Sequence, residues 1–292
     1  MLWSRTVPVI GRFAPSPTGP LHLGSLVAAV ASWLFARRAN GRWLVRIEDI
    51  DTPRVVRGSA EEILAALQRY GLEWDGEVVW QSRRIARYEE ALARLREAKL
   101  VYDCACSRAD LQRAPSAPLG AEAVYPGYCR TGIAAGKAAR AVRFHAPDEV
   151  IAFDDLVCGH IEEHVGARTG DFVVRRADGL FAYQLAVVVD DAEHGVTQVV
   201  RGADLLYSTP RQIALQHALG YPTPEYGHVR LVVNPDGAKL GKRDGALPLP
   251  ALDEARIRET LARALQHLGI EETFDGTPRE MLDAALRAFR QR

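Results

Sequence analysis

The segment GRFAPSPTGPLHLGSLVAAVASWLFARR, at Gly11–Arg38, constrains the fold of this chain more than any other stretch. A short apolar run at Val7–Phe13 predicts a strand, and apolar residues recur at helical spacing from Leu23 to Phe35. The loop between them is rich in proline and glycine and reaches His22 at the start of the helix. Helix N-termini carry unpaired N–H groups and a partial positive charge, which favour a bound phosphate. The segment therefore predicts an α/β fold with a phosphate site, and a turn that serves packing alone is the alternative.

Strands and helices alternate along the rest of the N-terminal half. Strand patterns occur at Arg42–Asp49 and Val101–Cys104, and helix patterns at Ser59–Leu72 and Ser82–Leu100. Ser59 is expected to cap the first of these helices with its hydroxyl group. Because parallel strands need helical crossovers, the alternation predicts a parallel sheet.

The C-terminal half continues with less regular patterns. Its predicted elements are strands at Arg140–Ala146, Asp171–Arg176 and Leu180–Asp191, a helix from Ser208 to Gly220, a turn at Asn234–Gly237, a loop at Ala238–Gly245, and two helices near Asp253–Leu268 and Thr277–Phe289. The last two predicted strands are joined by a short turn at Ala177–Gly179.

Composition leaves the partner of the chain open. Its 292 residues contain 37 Lys and Arg against 37 Asp and Glu, so any basic surface must be local. A hydrophobic share of 48% is typical of one large or two modest globular domains. No apolar run approaches the roughly 20 residues of a membrane span, and Met1–Arg12 lacks the apolar core of a signal peptide. We therefore expect a cytoplasmic protein with no membrane partner.

Three of the four cysteines lie close together in the sequence. Cys104, Cys106 and Cys129 flank a segment rich in Ala, Pro and Gly, whereas Cys158 stands apart. In a reducing compartment this spacing suggests a metal site sooner than disulfide bonds. The segment 104–130 is therefore expected to be an inserted loop or small subdomain that a zinc ion clips together, and three unligated thiols are the alternative.

A charged loop lies far along the chain, where Lys239, Lys242 and Arg243 crowd the sequence KLGKR. A solvated run of charges is one interpretation. The other is a mobile lysine loop opposite the phosphate site, which nucleotide chemistry needs.

Together these motifs resemble the class I glutamyl-tRNA synthetases. HLGS at His22–Ser25 matches the first signature of that family, HIGH, and KLGKR matches the second, KMSKS. Gly241 stands where the second signature usually has serine. The segments VRIEDIDTPR, AYQLAVVVDD and VVRGADLLYSTPRQ are also similar to the catalytic domain of the family.

The resemblance implies a fold class and a division of the chain. The fold would be α/β, a Rossmann-type class I synthetase catalytic domain with an inserted zinc-binding subdomain and a short C-terminal helical segment. Residues 1–103 would form the first half of the catalytic domain and 104–130 the zinc insertion. Residues 131–245 would complete the acceptor-type insertion and the catalytic domain, and 246–292 would form the helical segment.

The resemblance also assigns residues to roles. It implies a glutamate site of Arg12, Phe13, Ala14, Pro15, Ser16, Glu48, Tyr183 and Arg201, and an ATP site of His22, Gly24, Ser25, Lys239 and Lys242. His22 and Lys242 would be the catalytic pair, and Mg²⁺ would accompany ATP. Zinc would be held by Cys104, Cys106, Tyr125 and Cys129, with His145 or His160 as alternative fourth ligands. Without the family match Tyr183 would be read as a core residue, and the roles of Asp190 and Asp191 stay open between helix caps and ribose ligands.

A full glutamyl-tRNA synthetase continues into a large helical anticodon-binding part, for which this sequence shows no counterpart. It is similar instead to shorter paralogues that activate L-glutamate with ATP and esterify it onto queuosine in the anticodon loop of tRNA(Asp). We therefore expect that activity, in a monomer. The alternatives are a minimal glutamyl-tRNA synthetase that charges a tRNA 3′ end, and a non-catalytic tRNA-binding module.

Overall fold

The computed structural model describes residues 8–107, 110, 124–233, 248–249, 253–272 and 275–291. Its strands are β1 (Ile10–Phe13), β2 (Arg42–Ile47), β3 (Val79–Trp80), β4 (Val101–Cys104), β5 (Ala141–Phe144), β6 (Val150–Asp155), β7 (Gly159–His164), β8 (Phe172–Arg175), β9 (Gln198–Gly202) and β10 (Glu225–Val229). Its α-helices are α1 (Leu23–Arg38), α2 (Ser59–Arg69), α3 (Ile85–Glu97), α4 (Val165–Arg168), α5 (Tyr183–Glu193), α6 (Thr209–Leu219), α7 (Glu254–His267) and α8 (Pro278–Arg290).

Parallel strands form the centre of the molecule. One sheet has the order β1-β2-β3, and a second has the order β7-β6-β10-β9, in which only the β6–β7 pair is antiparallel. The two sheets meet where the Thr197 N–H donates to the Ile10 carbonyl and the Ile10 N–H donates to the Thr197 hydroxyl, at 3.0 Å and 2.9 Å. This arrangement confirms the expected α/β fold with a largely parallel sheet.

Helix α1 lies in the middle of the first hydrophobic core. It packs on β1, β2 and β9 on one side and on α7 and α8 on the other. Leu26, Val30, Trp33 and Leu34 are all buried, so apolar groups surround the helix. Gly11 allows the close approach of β1, because a Cβ atom there would lie 3.0 Å from the Cβ of Ala36.

A small antiparallel sheet carries the cysteine-rich segment. Its strand order is β4-β5-β8, and Cys104 is the last residue of β4. The segment that follows begins at this sheet edge, and part of it lies outside the described residues.

Several predictions of secondary structure were confirmed. Predicted strands at β1, β2, β4, β5 and β8 are present, as are the helices α1, α2, α3 and α6 and both C-terminal helices. Asp253 and Thr277 cap α7 and α8 through side-chain oxygens that accept backbone N–H groups. The predicted turn at 234–237 and loop at 238–245 lie outside the described residues. Within the described ranges no helix is long and apolar enough to cross a bilayer.

The strand predicted at Leu180–Asp191 is wrong, because Tyr183–Glu193 forms helix α5. Residues Leu185 to Asp191 of this helix are all buried, so its run of valines shows no solvent-facing polar side. A helix that is buried on every side and a buried strand give the same continuous apolar pattern. The β-branched valines favour a strand, and the prediction was therefore wrong.

Two further expectations need correction. Strands β6, β7, β9 and β10 were not predicted from the sequence. Ser59 does not cap α2, because the N-cap residue is Gly58 and the Ser59 hydroxyl accepts the Gly19 N–H at 3.0 Å. That bond ties the loop after β1 to the start of α2.

Candidate active site

A cavity of about 680 Å³ opens beside the N-terminus of α1, at the carboxyl ends of β1, β2 and β9. This edge of a parallel sheet is where α/β folds bind ligands. The predicted glutamate and ATP residues within the described ranges all line it: Arg12, Phe13, Ala14, Pro15, Ser16, His22, Gly24, Ser25, Glu48, Tyr183 and Arg201. Lys239, Gly241 and Lys242 lie outside the described residues.

His22 is the N-cap residue of α1. Its Nδ1 atom accepts the N–H of Ser25 at 3.3 Å. A neutral ring in this position carries its proton on Nε2, which is then a donor. The N-terminus of the helix therefore offers the cavity both backbone N–H groups and an imidazole.

Four charged side chains on neighbouring elements form the first wall of the site, and two of them, Arg12 and Glu48, line the cavity itself. The Arg12 Nε–H donates to Asp191 Oδ1 at 3.2 Å, and Arg46 donates from Nη1 to the same oxygen at 2.6 Å. Arg46 also donates from Nη2 to Glu48 Oε1 at 3.2 Å. All four side chains are buried. We call Arg12, Arg46, Glu48 and Asp191 the carboxylate wall.

The charges of the carboxylate wall shift one another's pKa values. Burial alone would raise the pKa of Asp191, but Arg12 and Arg46 outweigh it and hold that pKa below its ordinary value. Burial raises the pKa of Glu48, and Arg46 and Arg12 offset only part of this effect. Asp191 is therefore an ionised partner of two arginines, whereas Glu48 gains from a further positive charge in the cavity.

Asp190, whose role the sequence left open, lies behind this wall. It accepts from Gln81 Nε2 at 2.8 Å, from Arg84 Nε at 2.6 Å and from the Tyr88 hydroxyl at 2.9 Å. Its carboxylate and that of Asp191 thus bond to side chains of the fold, and neither residue caps a helix, because both lie inside α5. Sequence reasoning missed Arg46, although a charged residue two positions before Glu48 in an apolar strand shares its face of the sheet.

The second wall of the cavity centres on Arg201, which is 5% exposed. Its Nε–H donates to His228 Nε2 at 3.1 Å, and its Nη2 donates to the Thr209 hydroxyl at 2.8 Å and to the Leu205 carbonyl at 3.4 Å. Its Nη1 donates to the Tyr183 hydroxyl at 3.2 Å. Among the described residues no carboxylate lies within 4.0 Å of the Arg201 guanidinium. We call Arg201, Tyr183, Thr209 and His228 the neutral wall.

Asp155 fixes the far side of the His228 ring. His228 Nδ1 and Asp155 Oδ2 are 2.5 Å apart, and both side chains are fully buried. The other carboxylate oxygen accepts the backbone N–H groups of His228, Val157 and Cys158 at 2.8 to 3.0 Å. Burial alone would raise the pKa of Asp155, but these hydrogen bonds lower it to about 2. Sequence reasoning found neither residue, because they belong to strands that it did not predict.

The cysteine cluster forms a separate candidate metal centre. The Sγ atoms of Cys104, Cys106 and Cys129 lie within 4.8 Å of one another. The Tyr125 hydroxyl is 3.5 Å from Sγ of Cys104 and of Cys106, and it accepts the N–H of Cys129 at 3.0 Å. The structure thus brings together the four predicted ligands.

The two alternative ligands lie apart from the cluster in the described structure. His145 stacks against Tyr102 with ring centroids 4.6 Å apart, and His160 contacts Asp154 and Glu162 on the β6–β7 hairpin. Neither belongs to the group of ligand atoms that converge around the cysteines.

Comparison with known proteins fits this architecture. Residues 8–275 match the model of the catalytic domain of class I tRNA synthetases for glutamate and glutamine. The chain therefore belongs to this family.

Curated relatives narrow the assignment. A glutamyl-Q tRNA(Asp) synthetase of Geobacter sulfurreducens is 60% identical over 246 residues, which is 84% of this chain and 78% of the relative. One of Pseudomonas putida is 50% identical over 279 residues, 94% of this chain and 91% of the relative. Within the class I family the chain groups with the glutamyl-Q tRNA(Asp) synthetases.

Solved structures agree on the fold. The glutamate-tRNA synthetase of Elizabethkingia anophelis superposes with a TM-score of 0.71 at 30% identity, over 82% of this chain and 53% of that one. A glutamate tRNA ligase of Elizabethkingia meningosepticum, in complex with its amino acid, gives a TM-score of 0.70 with the same coverage. The chain thus spans about half the length of these solved synthetases.

Proposed function

We propose that this chain activates L-glutamate with ATP and transfers the glutamyl group to queuosine in the anticodon loop of tRNA(Asp). The observation that carries the proposal is the cavity, where two buried guanidinium groups and a buried carboxylate face the N-terminus of α1. These charges match an amino acid with two carboxylates and one ammonium group, placed beside a nucleotide. Relatives at 50% and 60% identity named glutamyl-Q tRNA(Asp) synthetase support the same reaction.

Each wall contributes to glutamate binding in this proposal. Arg12 and Arg201 hold the two substrate carboxylates through charge-assisted hydrogen bonds. Glu48 accepts a hydrogen bond from the substrate ammonium group, whose positive charge adds to the partial compensation from Arg46 and Arg12. The Tyr183 hydroxyl, already oriented by Arg201, adds a contact to the amino acid. Phe13, Ala14, Pro15 and Ser16 line the floor of the site.

ATP is proposed to lie against the start of α1. Gly24 and Ser25 present backbone at the helix N-terminus, and His22 donates to phosphate oxygens. The resemblance adds Lys239 and Lys242, with Lys242 stabilising the charge that develops on the phosphates. Mg²⁺ enters with ATP as part of the substrate and neutralises phosphate charge.

Activation is an in-line attack of the glutamate α-carboxylate on the α-phosphorus, which forms glutamyl adenylate and releases pyrophosphate. The nucleophile is already ionised, so the step needs no general base, and catalysis is mainly electrostatic. A queuosine hydroxyl then attacks the activated carbonyl carbon and AMP leaves with the bonding electrons. Because the amino acid and ATP groups surround one cavity, activation does not require tRNA.

Two measurements test the proposal. Exchange of labelled pyrophosphate into ATP should depend on glutamate and proceed without tRNA, and a non-catalytic module would show no exchange. Labelled glutamate should then enter tRNA(Asp) that carries queuosine, with tRNA(Asp) lacking the modification and tRNA(Glu) as matched controls. Robust labelling of tRNA(Glu) would replace the proposal with a minimal glutamyl-tRNA synthetase.

We also propose that Cys104, Cys106, Cys129 and Tyr125 hold one structural zinc ion. Thiolates around a tetrahedral zinc at about 2.3 Å lie roughly 3.8 Å apart, and Cys106 Sγ and Cys129 Sγ are 3.7 Å apart. The Arg143 guanidinium donates to Cys104 Sγ at 3.4 Å, and the pKa of Cys104 is lowered because hydrogen bonds from Tyr125, Cys106 and Arg143 outweigh burial. Soft, converging thiols of this kind suit zinc.

Elemental analysis of protein purified without chelators should find one zinc ion per chain. Tyr125→Phe should keep the metal with lower affinity, because three thiolates remain, whereas Cys104→Ser should lose it. Cys158→Ser, at the exposed cysteine outside the cluster, is the matched control. Metal-free protein from a chelator-free preparation would end this proposal.

A further inference from the structure

The partners of Arg201 constrain the chemistry of His228. An arginine side chain can only donate hydrogen bonds, so the ring nitrogen that faces the Arg201 Nε–H must be an acceptor. His228 Nε2 therefore carries no proton. The ring proton lies on Nδ1 and is donated to Asp155 Oδ2, which is 2.5 Å away. The fold thus selects one neutral form of a histidine that solvent does not reach.

We propose that His228 is a positioning residue for glutamate binding, an inference that rests on the proposed function. Its unprotonated Nε2, held in place by Asp155, orients the Arg201 guanidinium so that Nη1 and the Tyr183 hydroxyl meet the substrate carboxylate. A protonated His228 would turn an N–H group toward the Arg201 Nε–H, lose that hydrogen bond and repel the guanidinium. Among the described residues, its Nε2–H would have only the Thr209 hydroxyl, 3.2 Å away, as an acceptor. The glutamate site is therefore complete only while His228 is neutral.

The surroundings of His228 favour this neutral form. Burial lowers its pKa from the ordinary 6.5, and Arg201 and Arg12 lower it further, against the opposing effect of Asp155. Among the described residues, two further titratable groups lie beside His228: Cys158 in the β6–β7 turn, whose thiol donates to the His228 backbone carbonyl, and Tyr226 on the same strand, whose ring stacks on the imidazole. Burial raises the pKa of both, to about 12 for Tyr226, so neither changes its charge between pH 5 and 7.

Two matched substitutions separate the two nitrogens of the ring. His228→Gln can place an amide oxygen near the position of Nε2 and keep an acceptor for Arg201. His228→Asn reaches only the position of Nδ1, so it keeps a donor for Asp155 and leaves Arg201 Nε–H without its acceptor. In the exchange assay at pH 7.5, His228→Asn should raise the KM for glutamate about tenfold or more, with little change in kcat or in the KM for ATP. His228→Gln should stay within about threefold of the wild type.

The pH profile gives a second readout. The wild-type KM for glutamate should rise as the pH falls to the lowered pKa of His228, below 6.5, where the ring takes up a proton, and His228→Gln should lack this rise. Glu48 faces the same cavity and its pKa is also shifted, so the informative quantity is the difference between wild type and His228→Gln. Equal acid limbs in the two proteins would overturn the proposal.

The tautomer can be read without any activity. Imidazole ¹⁵N NMR of protein labelled at histidine, with the signal assigned by its loss in His228→Gln, should show an Nδ1–H neutral ring at pH 7. An Nε2–H ring or an imidazolium would overturn the positioning role even if the enzyme is active. If His228→Asn raised both KM values and lowered kcat together, and His228→Gln did the same, the role would be structural only. Absence of glutamate-dependent exchange in the wild type would instead refute the proposed function and the role of His228 built on it.

Discussion

Arg12 and Arg201 both line one cavity, and the fold treats their charges differently. On the carboxylate wall Asp191 lies against Arg12 and Arg46, so positive charge is balanced before any ligand arrives. On the neutral wall Arg201 is held by an imidazole, two hydroxyls and a carbonyl, none of which carries a negative charge. The first arrangement balances its charges within the fold, and in the proposed function the second leaves the charge of Arg201 for a substrate carboxylate.

The largest expected effect is a loss of stability caused by a substitution in the carboxylate wall. Asp191→Asn keeps the shape of the side chain but leaves two buried guanidinium groups facing a neutral amide. We expect a loss of about 3–5 kcal/mol in the free energy of unfolding, measured by urea denaturation. Glu193→Gln, in the last turn of the same helix and partly exposed, is the matched control and should change stability by less than about 1 kcal/mol. Equal stability of Asp191→Asn and wild type would contradict the comparison.

The next largest effect is a rise in the KM for glutamate. Arg201→Gln should raise the KM for glutamate by about 10²-fold, close to 3 kcal/mol, because it removes the uncompensated charge of the site. Arg12→Gln should raise it less, since part of the Arg12 charge already interacts with Asp191. Glutamine is expected to be a poor substrate of the wild type, and Arg201→Gln should bring the two amino acids closer. Pyrophosphate exchange with each amino acid measures both ratios, and a larger effect at Arg12 would reverse the assignment.

A smaller effect depends on pH. The pKa of His228 is lowered in the folded protein, so folding favours the neutral ring. Its contribution to stability is complete above the unfolded value near 6.5 and is lost as the pH falls toward the folded value, by about 1.4 kcal/mol per unit of pKa difference. Asp155 stays ionised in this window, because its pKa is about 2. Urea denaturation at pH 7, 6 and 5 should therefore show wild type losing stability relative to His228→Gln, and parallel curves would refute this.

The smallest effect tests one hydroxyl of the neutral wall. Thr209→Val keeps the volume of a fully buried side chain but removes the nearer of the two acceptors for Arg201 Nη2. The loss of one hydrogen bond to a charged group predicts a rise in the KM for glutamate of about fivefold to tenfold. Thr209→Ser retains the hydroxyl and should behave like wild type. An unchanged KM in Thr209→Val would mean that Nη2 does not need this support.

Sequence patterns predicted two residues of each wall, Arg12 and Glu48 of the first and Tyr183 and Arg201 of the second. Arg12, His22 and Glu48 lie in or beside elements with clear periodicity, β1, α1 and β2, and the structure brings them to one cavity. Helix α5 was misread as a strand, because burial on every side erases the helical period. The pairing of Arg12 with Asp191 joins residues 179 positions apart, which no local pattern contains.

His228 of the neutral wall was missed for a reason other than a misread helix. His228 and Asp155 are joined across β10 and β6, two strands from distant parts of the sequence. A single histidine in a short apolar strand gives no sign of which charges will surround it. The side chains around His228 come together only when β6 and β10 pair. The topology of the sheet therefore determines the chemistry of His228, and no local motif predicts it.

Helix α1, enclosed between the sheet and helices α7 and α8, also determines which parts of the site can move. The Arg290 side chain donates to the Arg37 carbonyl and to Asn40 Oδ1 at its C-terminal end, and Phe289 packs edge-on against Phe35. A helix held on both sides has no direction in which to slide without opening the core. Its amide hydrogens should exchange with solvent only through global unfolding, and its first turn acts as a fixed frame of reference. Adjustments that bring reacting groups together must then come from elements on the other side of the cavity.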